Sequence, residues 1–244
     1  MLRLRTRQAA IAGLVLLFAG LLSGRAWLTR TAVATQAELG DAGRWLNGVV
    51  IMVDPGHGGD DPGAVVGDVR EKLLVYDIAT QLKQMLEKQG AKVVLTREGD
   101  TDLGGRIAEE LGKRVALVAQ HRAQVYVSIH ANKDSCRPCW GAQTFYQKRG
   151  GVAEGRQLAE AIQGRMRQLT PTTRVPLPAD YFVLRNSPVP SAVVEVGFLT
   201  DDAERRRLQD PAYQRQIATA VALGLADFLK GQVPRTRSQG QIGQ

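Results

Sequence analysis

The chain carries three histidines, and two of them stand where buried strands are expected to end. His57 follows the apolar run Val49-Val50-Ile51-Met52-Val53, inside Asp54-Pro55-Gly56-His57-Gly58-Gly59. His130 closes the run Val125-Tyr126-Val127-Ser128-Ile129. Two carboxylates are placed to join them. Glu71 lies where a helix should begin, at the far end of a Gly- and Asp-rich stretch, and Glu195 lies inside Ala192-Val193-Val194-Glu195-Val196. Two histidines and one carboxylate are a usual ligand set for catalytic zinc, with a fourth position left to water. A second carboxylate in reach can act as general base on that water. Each residue also has a plainer reading. Glu71 also reads as an acid favoured by a helix N-terminus, and Glu195 as half of a buried ion pair. The third histidine, His121, sits mid-helix between Gln120 and Arg122 and reads as a solvated surface residue.

The elements that would position these groups alternate. Four of the five residues before Asp54 are β-branched and all are apolar, as a strand covered on both faces requires. A long loop follows to about Arg70, and loops of that length inside a domain are usually functional. Leu74, Ile78, Leu82, Met85 and Leu86 recur at helical spacing, so a helix is expected over 71–89, stopped by Gly90. Further strands are expected at 91–96, 125–129, 142–147, 181–184 and 192–196. Further helices are expected at 106–122, 152–168 and 211–229, with 170–180 as a proline-rich loop. Strands alternating with helices imply an α/β fold: one domain from about residue 48 to 230, with a twisted, mainly parallel sheet and helices on both faces. In such sheets chemistry collects at the carboxyl ends of the strands.

The net charge of +8 over 244 residues does not point to nucleic acid. Arg3, Arg5, Arg7, Arg25 and Arg30 precede every acidic residue, and the rest of the chain carries only about +3. Aromatic residues, at 5%, are sparse for base stacking. The three leading arginines and the apolar run from about Ala9 to Leu22 have the form of a secretory leader, with a small-x-small site at Ala32-Val33-Ala34. Residues 1–34 are therefore expected to be a signal peptide or an N-terminal membrane anchor. The catalytic body is then exported, meeting the membrane only through that segment. Residues 35–47 read as a linker and 231–244 as a disordered tail. Cys136 and Cys139 cannot make a four-ligand zinc site alone. A redox dithiol normally opens a helix, whereas this pair leads into the strand expected at 142–147, so in an exported chain a local disulfide or two idle thiols is the favoured reading over redox chemistry.

Four stretches carry a resemblance. Asp54-Pro55-Gly56-His57-Gly58-Gly59, Glu71-Lys72, Ser128-Ile129-His130-Ala131-Asn132 and Glu195-Val196-Gly197-Phe198-Leu199 resemble, in order and spacing, the family 3 N-acetylmuramoyl-L-alanine amidases. By that resemblance His57, Glu71 and His130 hold one Zn2+, Glu195 is the catalytic carboxylate, and the substrate is peptidoglycan. Trp140-Gly141-Ala142-Gln143-Thr144-Phe145-Tyr146, together with the short span from His130 to Glu195, resembles the germination-specific, spore-cortex members. That implies a step toward muramic lactam, and it allows an accessory lipoprotein or sporulation protein as partner. Arg185, in Val183-Leu184-Arg185-Asn186, could bind a peptide carboxylate or be a surface charge. Where relatives carry Ala-Asn and Ala-Asp ahead of the third strand, this chain has Ala119-Gln120 and Ala123-Gln124. Three alternatives remain: a vegetative cell-separation amidase, a zinc deacetylase or carboxypeptidase on the same polymer, and a silent wall-binding module.

Overall fold

The computed structural model describes residues 35, 37–134, 139–148 and 153–232. The leader expected at 1–34, Cys136 and the tail beyond Gln232 lie outside the described residues. Two compact units are distinguished, residues 1–41 and 42–244. The stretch 35–47, read as a linker, is helical over residues 37–46 (α1).

The apolar run before the first histidine forms β1 (Val50–Pro55), buried from Ile51 onward. A two-residue hairpin follows, β2 (Val65–Val66) against β3 (Val69–Arg70). It breaks the long loop and delivers the chain directly into α2 (Glu71–Lys88). The order continues as β4 (Lys92–Leu95), α3 (Ile107–Gln120), β5 (Val125–Asn132), β6 (Gln143–Gln147), α4 (Glu154–Leu169), β7 (Leu177–Ala179), α5 (Phe182–Asn186), β8 (Ser191–Phe198), α6 (Asp202–Leu208) and α7 (Pro211–Gln232).

One six-stranded sheet holds these elements in the order β4-β1-β5-β8-β6-β7. All of its neighbours are parallel except β6 against β8, so the sheet is mostly parallel, as expected. Side chains alternate across it. Met52, Tyr126 and Val193 pack with Val118 of α3 and with Val183 and Leu184 of α5. The opposite layer is α2, α4 and α7, with α7 packed against both of its neighbours.

Four local features differ from expectation. Residues 181–184, read as a strand, lie mainly in the short helix α5, which opens with Arg185 N–H bonded to the Tyr181 carbonyl and closes with Ser187 N–H on the Val183 carbonyl. A four-residue apolar run does not by itself separate the two conformations. The proline-rich loop contains β7, with Pro178 on the edge strand, where its missing N–H costs no ladder bond. Helix α6 was not foreseen, although Asp201 caps it by accepting from Glu204 N at 2.8 Å. The helix expected to end near Leu229 runs to Gln232.

Candidate active site

Parallel strands bring their carboxyl ends to one side of the sheet, and the four candidate residues gather there. His57 lies two residues beyond β1, His130 lies in β5, and Glu195 lies opposite His130 in the register of β8. Glu71 is the first residue of α2.

Each side chain is held. Glu71 is buried, 4% exposed. Its Oε2 accepts from Ala64 N at 2.8 Å and its Oε1 from Ala131 N at 2.9 Å. The same Oε1 stands 3.2 Å from His57 Nε2 and 3.0 Å from His130 Nδ1. His57 turns its other nitrogen, Nδ1, to Asp61 Oδ2 at 2.6 Å. A carboxylate on the far side of a histidine fixes its tautomer and makes it a better ligand. The two imidazole rings meet edge to face, with centroids 4.9 Å apart. Small residues make this approach possible. A Cβ on Gly56 would land on the His130 ring, and one on Gly63, at φ +65°, would meet both the His57 ring and Glu71.

Donor atoms of His57, Glu71 and His130 all lie within 4.8 Å of one another. Nitrogen and oxygen ligands at about 2.0–2.1 Å around a tetrahedral zinc ion stand roughly 3.3 Å apart, close to the two separations to Glu71. The charges agree. Burial works against a protonated His57, yet the hydrogen bonds and charges of Glu71 and Asp61 push its pKa up to about 9. His130 is also raised, by Glu71 and Glu195 against its burial. Burial opposes the charge on Glu71, but the two histidines hold it well below the ordinary carboxylate range. A cluster that draws in protons is short of positive charge, and a divalent cation supplies it. These residues fit a zinc ion.

Glu195 differs from Glu71. Its Oε2 is buried and has no hydrogen-bond partner. Burial, with the negative charge of Glu71, pushes its pKa up to about 7, against the pull of His130 and His57. That value suits a group which must take and return a proton near neutrality.

The cleft over these residues encloses about 240 Å³. Its floor carries Asp54, His57, His130 and Glu195, and its walls include Ile107, Leu111, Tyr181 and Phe182. Arg185 is not among its lining residues. It pairs with Asp180 at 2.8 Å and, with Gln147 and Lys148, lines a separate hollow. His121 is exposed at the end of α3. Cys139 is disulfide-bonded.

Sequence reasoning missed the layer beneath the site. Asp54 is buried and accepts from Thr96 Oγ1 at 2.5 Å, Tyr126 Oη at 2.5 Å, Arg114 NH1 at 2.6 Å and Ser128 Oγ at 2.7 Å. Burial raises its pKa, but Arg114 and the three hydroxyls outweigh that and hold it far below the usual range. The signal for Arg114 was present: it falls on the same helical face as Leu111, Val115 and Val118, where an apolar residue is expected. Gln124, which departs from the family pattern, accepts from Val50 N at 3.1 Å through its Oε1 and so ties β5 to β1.

Known proteins resemble this chain in sequence and fold. The profile of the family "N-acetylmuramoyl-L-alanine amidase" matches residues 51–227. The germination-specific N-acetylmuramoyl-L-alanine amidase of Bacillus subtilis is 38% identical over 201 residues, covering 78% of this chain and 84% of its own. The amidase LytC of Bacillus subtilis is 32% identical over 75% of this chain, which spans only 36% of that longer protein. Among solved structures, the CwlD amidase from Clostridioides difficile in complex with the GerS lipoprotein superposes with a TM-score of 0.71 at 31% identity, over 75% of this chain and 99% of that one. Fold and sequence likeness converge, and the chain belongs to the N-acetylmuramoyl-L-alanine amidase family, as an enzyme that cleaves an amide of peptidoglycan.

Proposed function

We propose that this protein hydrolyses the bond between N-acetylmuramic acid and L-alanine with one zinc ion held by His57, Glu71 and His130, and with Glu195 carrying the proton. The observation that carries this reading is the meeting of three donor side chains beside a buried carboxylate whose Oε2 is unpartnered. When bound, zinc supplies Lewis-acid polarisation of the lactyl carbonyl and lowers the pKa of water. Glu195, ionised, accepts a proton from the attacking water. It then donates that proton to the departing nitrogen of L-alanine, which leaves as an amine. Asp61 keeps His57 in one tautomer throughout, and Glu71 is held rigid by its two backbone N–H donors. Glycan and a free stem peptide are the products.

The finer assignment follows from the relatives' names and from the leading sequence. A germination-specific relative supports action on spore cortex, where the stripped muramic acid would go on to a lactam in another enzyme's hands. A lipoprotein bound to the Clostridioides amidase supports an accessory partner of that kind. Residues 1–34 would carry the chain out of the cytoplasm as signal or anchor, 35–47 would link, 48–230 would be catalytic and 231–244 a tail. Arg185 with Lys148 would meet a carboxylate of the stem peptide beyond the reacting bond.

Mass spectrometry of the material released from purified peptidoglycan by the full-length protein with zinc tests the reaction. Free stem peptides beginning with L-alanine are expected. Released acetate or a single terminal amino acid would instead mean a deacetylase or a carboxypeptidase. In the parent organism, loss of the gene should leave cortex without muramic lactam. Chains of unseparated cells with normal cortex would mean the vegetative role.

A further inference from the structure

His57 adopts a left-handed backbone, φ 61°, which a residue with a side chain rarely takes. Such a conformation persists only where the surroundings over-determine it, and here they do. Every carbonyl from Pro55 to Gly59 is gripped. Arg97 donates to Pro55 O at 3.0 Å and to Gly56 O at 3.1 Å. Lys72 donates to Gly59 O at 2.6 Å, and Asp61 N closes on Gly58 O at 3.0 Å. The His57 carbonyl itself is taken by Arg114 NH2 at 2.7 Å, while NH1 of the same guanidinium takes Pro55 O at 3.0 Å.

Arg114 is 2% exposed and comes from the middle of α3. A guanidinium has five N–H donors in a rigid fork, and here all five are used. Nε donates to Glu110 at 3.1 Å. NH1 donates to Asp54 and to Pro55 O, and NH2 donates to His57 O and to Glu110 at 2.5 Å. The side chain lines the cleft but has no donor to give a substrate. Whatever it does there, it does through the loop it holds.

We infer that Arg114 is a positioning residue, whose fork between Asp54, Glu110 and the His57 carbonyl fixes the loop conformation that aims the imidazole at Glu71 and His130. The inference rests on the reading of His57 as a zinc ligand. Lysine cannot replace arginine in this role, because an ammonium is a single point and cannot span four acceptors in one plane. A filler of volume alone would restore packing without restoring aim.

The test uses the full-length protein with Arg114→Ala, Arg114→Lys and His57→Ala. Zinc dissociation constants come from competition with a chromophoric chelator, alongside kcat, KM and far-UV circular dichroism. Loss of groups that orient a metal ligand typically weakens metal binding about 10- to 100-fold. A shift in that range is expected in both Arg114 variants, with kcat reduced and KM unchanged. Guanidinium ion at sub-denaturing concentration should restore zinc affinity to Arg114→Ala, and methylammonium should not. Should Arg114→Ala fail to fold, Arg114→Lys, which keeps the charge, carries the same comparison. Zinc affinity equal to wild type in a folded Arg114 variant overturns the inference alone, provided that His57→Ala has lost zinc. Wild-type zinc affinity in His57→Ala overturns the site reading itself, and the role of Arg114 with it.

Discussion

His130 and Glu195 are register partners on the adjacent parallel strands β5 and β8. Neighbouring strands lie about 4.8 Å apart, and partnered residues face the same side. The spacing between a proposed metal ligand and the proposed proton carrier is therefore set by the sheet and not by a loop. The ladder is also irregular just beyond this pair, between His130 and Asn132.

Separation of roles follows. Glu195→Ala should hold zinc as the wild type does and lose roughly 10²- to 10⁴-fold in kcat, the usual worth of a general acid–base group. His57→Ala should lose both metal and turnover. Zinc content and hydrolysis of the two purified variants check this. Metal loss in Glu195→Ala would overturn its assignment as proton carrier.

The pH dependence has a definite sign. Glu195 must be ionised to take a proton, and burial with Glu71 raises it from 4.5 to about 7. The bound cation adds positive charge and draws that value back down. In the zinc enzyme kcat/KM should fall on the acid side, with its midpoint at or below pH 7. In the metal-free protein the charge on Glu195 is disfavoured above pH 7. Glu195→Gln should therefore raise Tm at pH 8, and the gain should shrink by pH 5. Rate profiles and thermal melts at the two pH values read these directly.

Removal of zinc should abolish activity reversibly. Dialysis against a chelator, then addition of one equivalent of zinc, should restore hydrolysis. Gly56→Ala should not recover in this way, because its new methyl group falls on the His130 ring. Its circular dichroism should stay native while its zinc content falls.

Asp54 touches no substrate in this scheme, yet it anchors the floor. Asp54→Asn leaves Arg114 without its main buried counter-charge, and breaking a buried pair from one side typically costs about 3–5 kcal/mol. Glu110 remains to share the guanidinium, so the low end is expected. Chemical denaturation measures it. The sign with pH follows from the depressed pKa of Asp54: its stabilisation is present at neutral pH and is lost only in strong acid.

Arg185 offers a split of another kind. Its hollow also holds Lys148, so Arg185→Ala should raise KM several-fold for peptidoglycan with intact stem-peptide carboxylates and leave kcat alone. An unchanged KM would make it an exposed partner of Asp180 and nothing more.

Much of the fold was legible because its strands are buried on both faces and its helices are amphipathic. Val49–Val53 and the Leu74–Leu86 face could hardly have been read otherwise. Three of the four candidate site residues, His57, His130 and Glu195, stood out for a related reason: a titratable side chain in or just after a buried strand is out of place unless it is used, whereas Glu71, at a helix start, stood out only through the motif it shares with the family. What was lost is what short stretches hide. Residues 181–184 are apolar and aromatic enough for a strand, and only their flanks make them α5. Asp61 was missed because its contact with His57, four residues back, depends on the irregular turn between them, and Arg114 because its partners are distant in sequence or made by the backbone. Arg114 meets Asp54 and the carbonyls of Pro55 and His57 across the fold, and no spacing rule announces such a meeting.

The last helix sets the order of events in the life of the chain. α7 lies against both α2, whose first residue is Glu71, and α4, and it does so closely enough that a Cβ on Gly224 would press on the backbone of Ile162. Ile78 and Leu82 on α2 and Leu158 and Ile162 on α4 are buried in the finished protein. Every side chain proposed for the chemistry lies at or before Glu195 in the chain. Until residues 211–232 arrive, however, the layer that carries Glu71 lacks its neighbour. The base on which Glu71 stands is thus assembled from both ends of the domain, with its closing piece last in the chain.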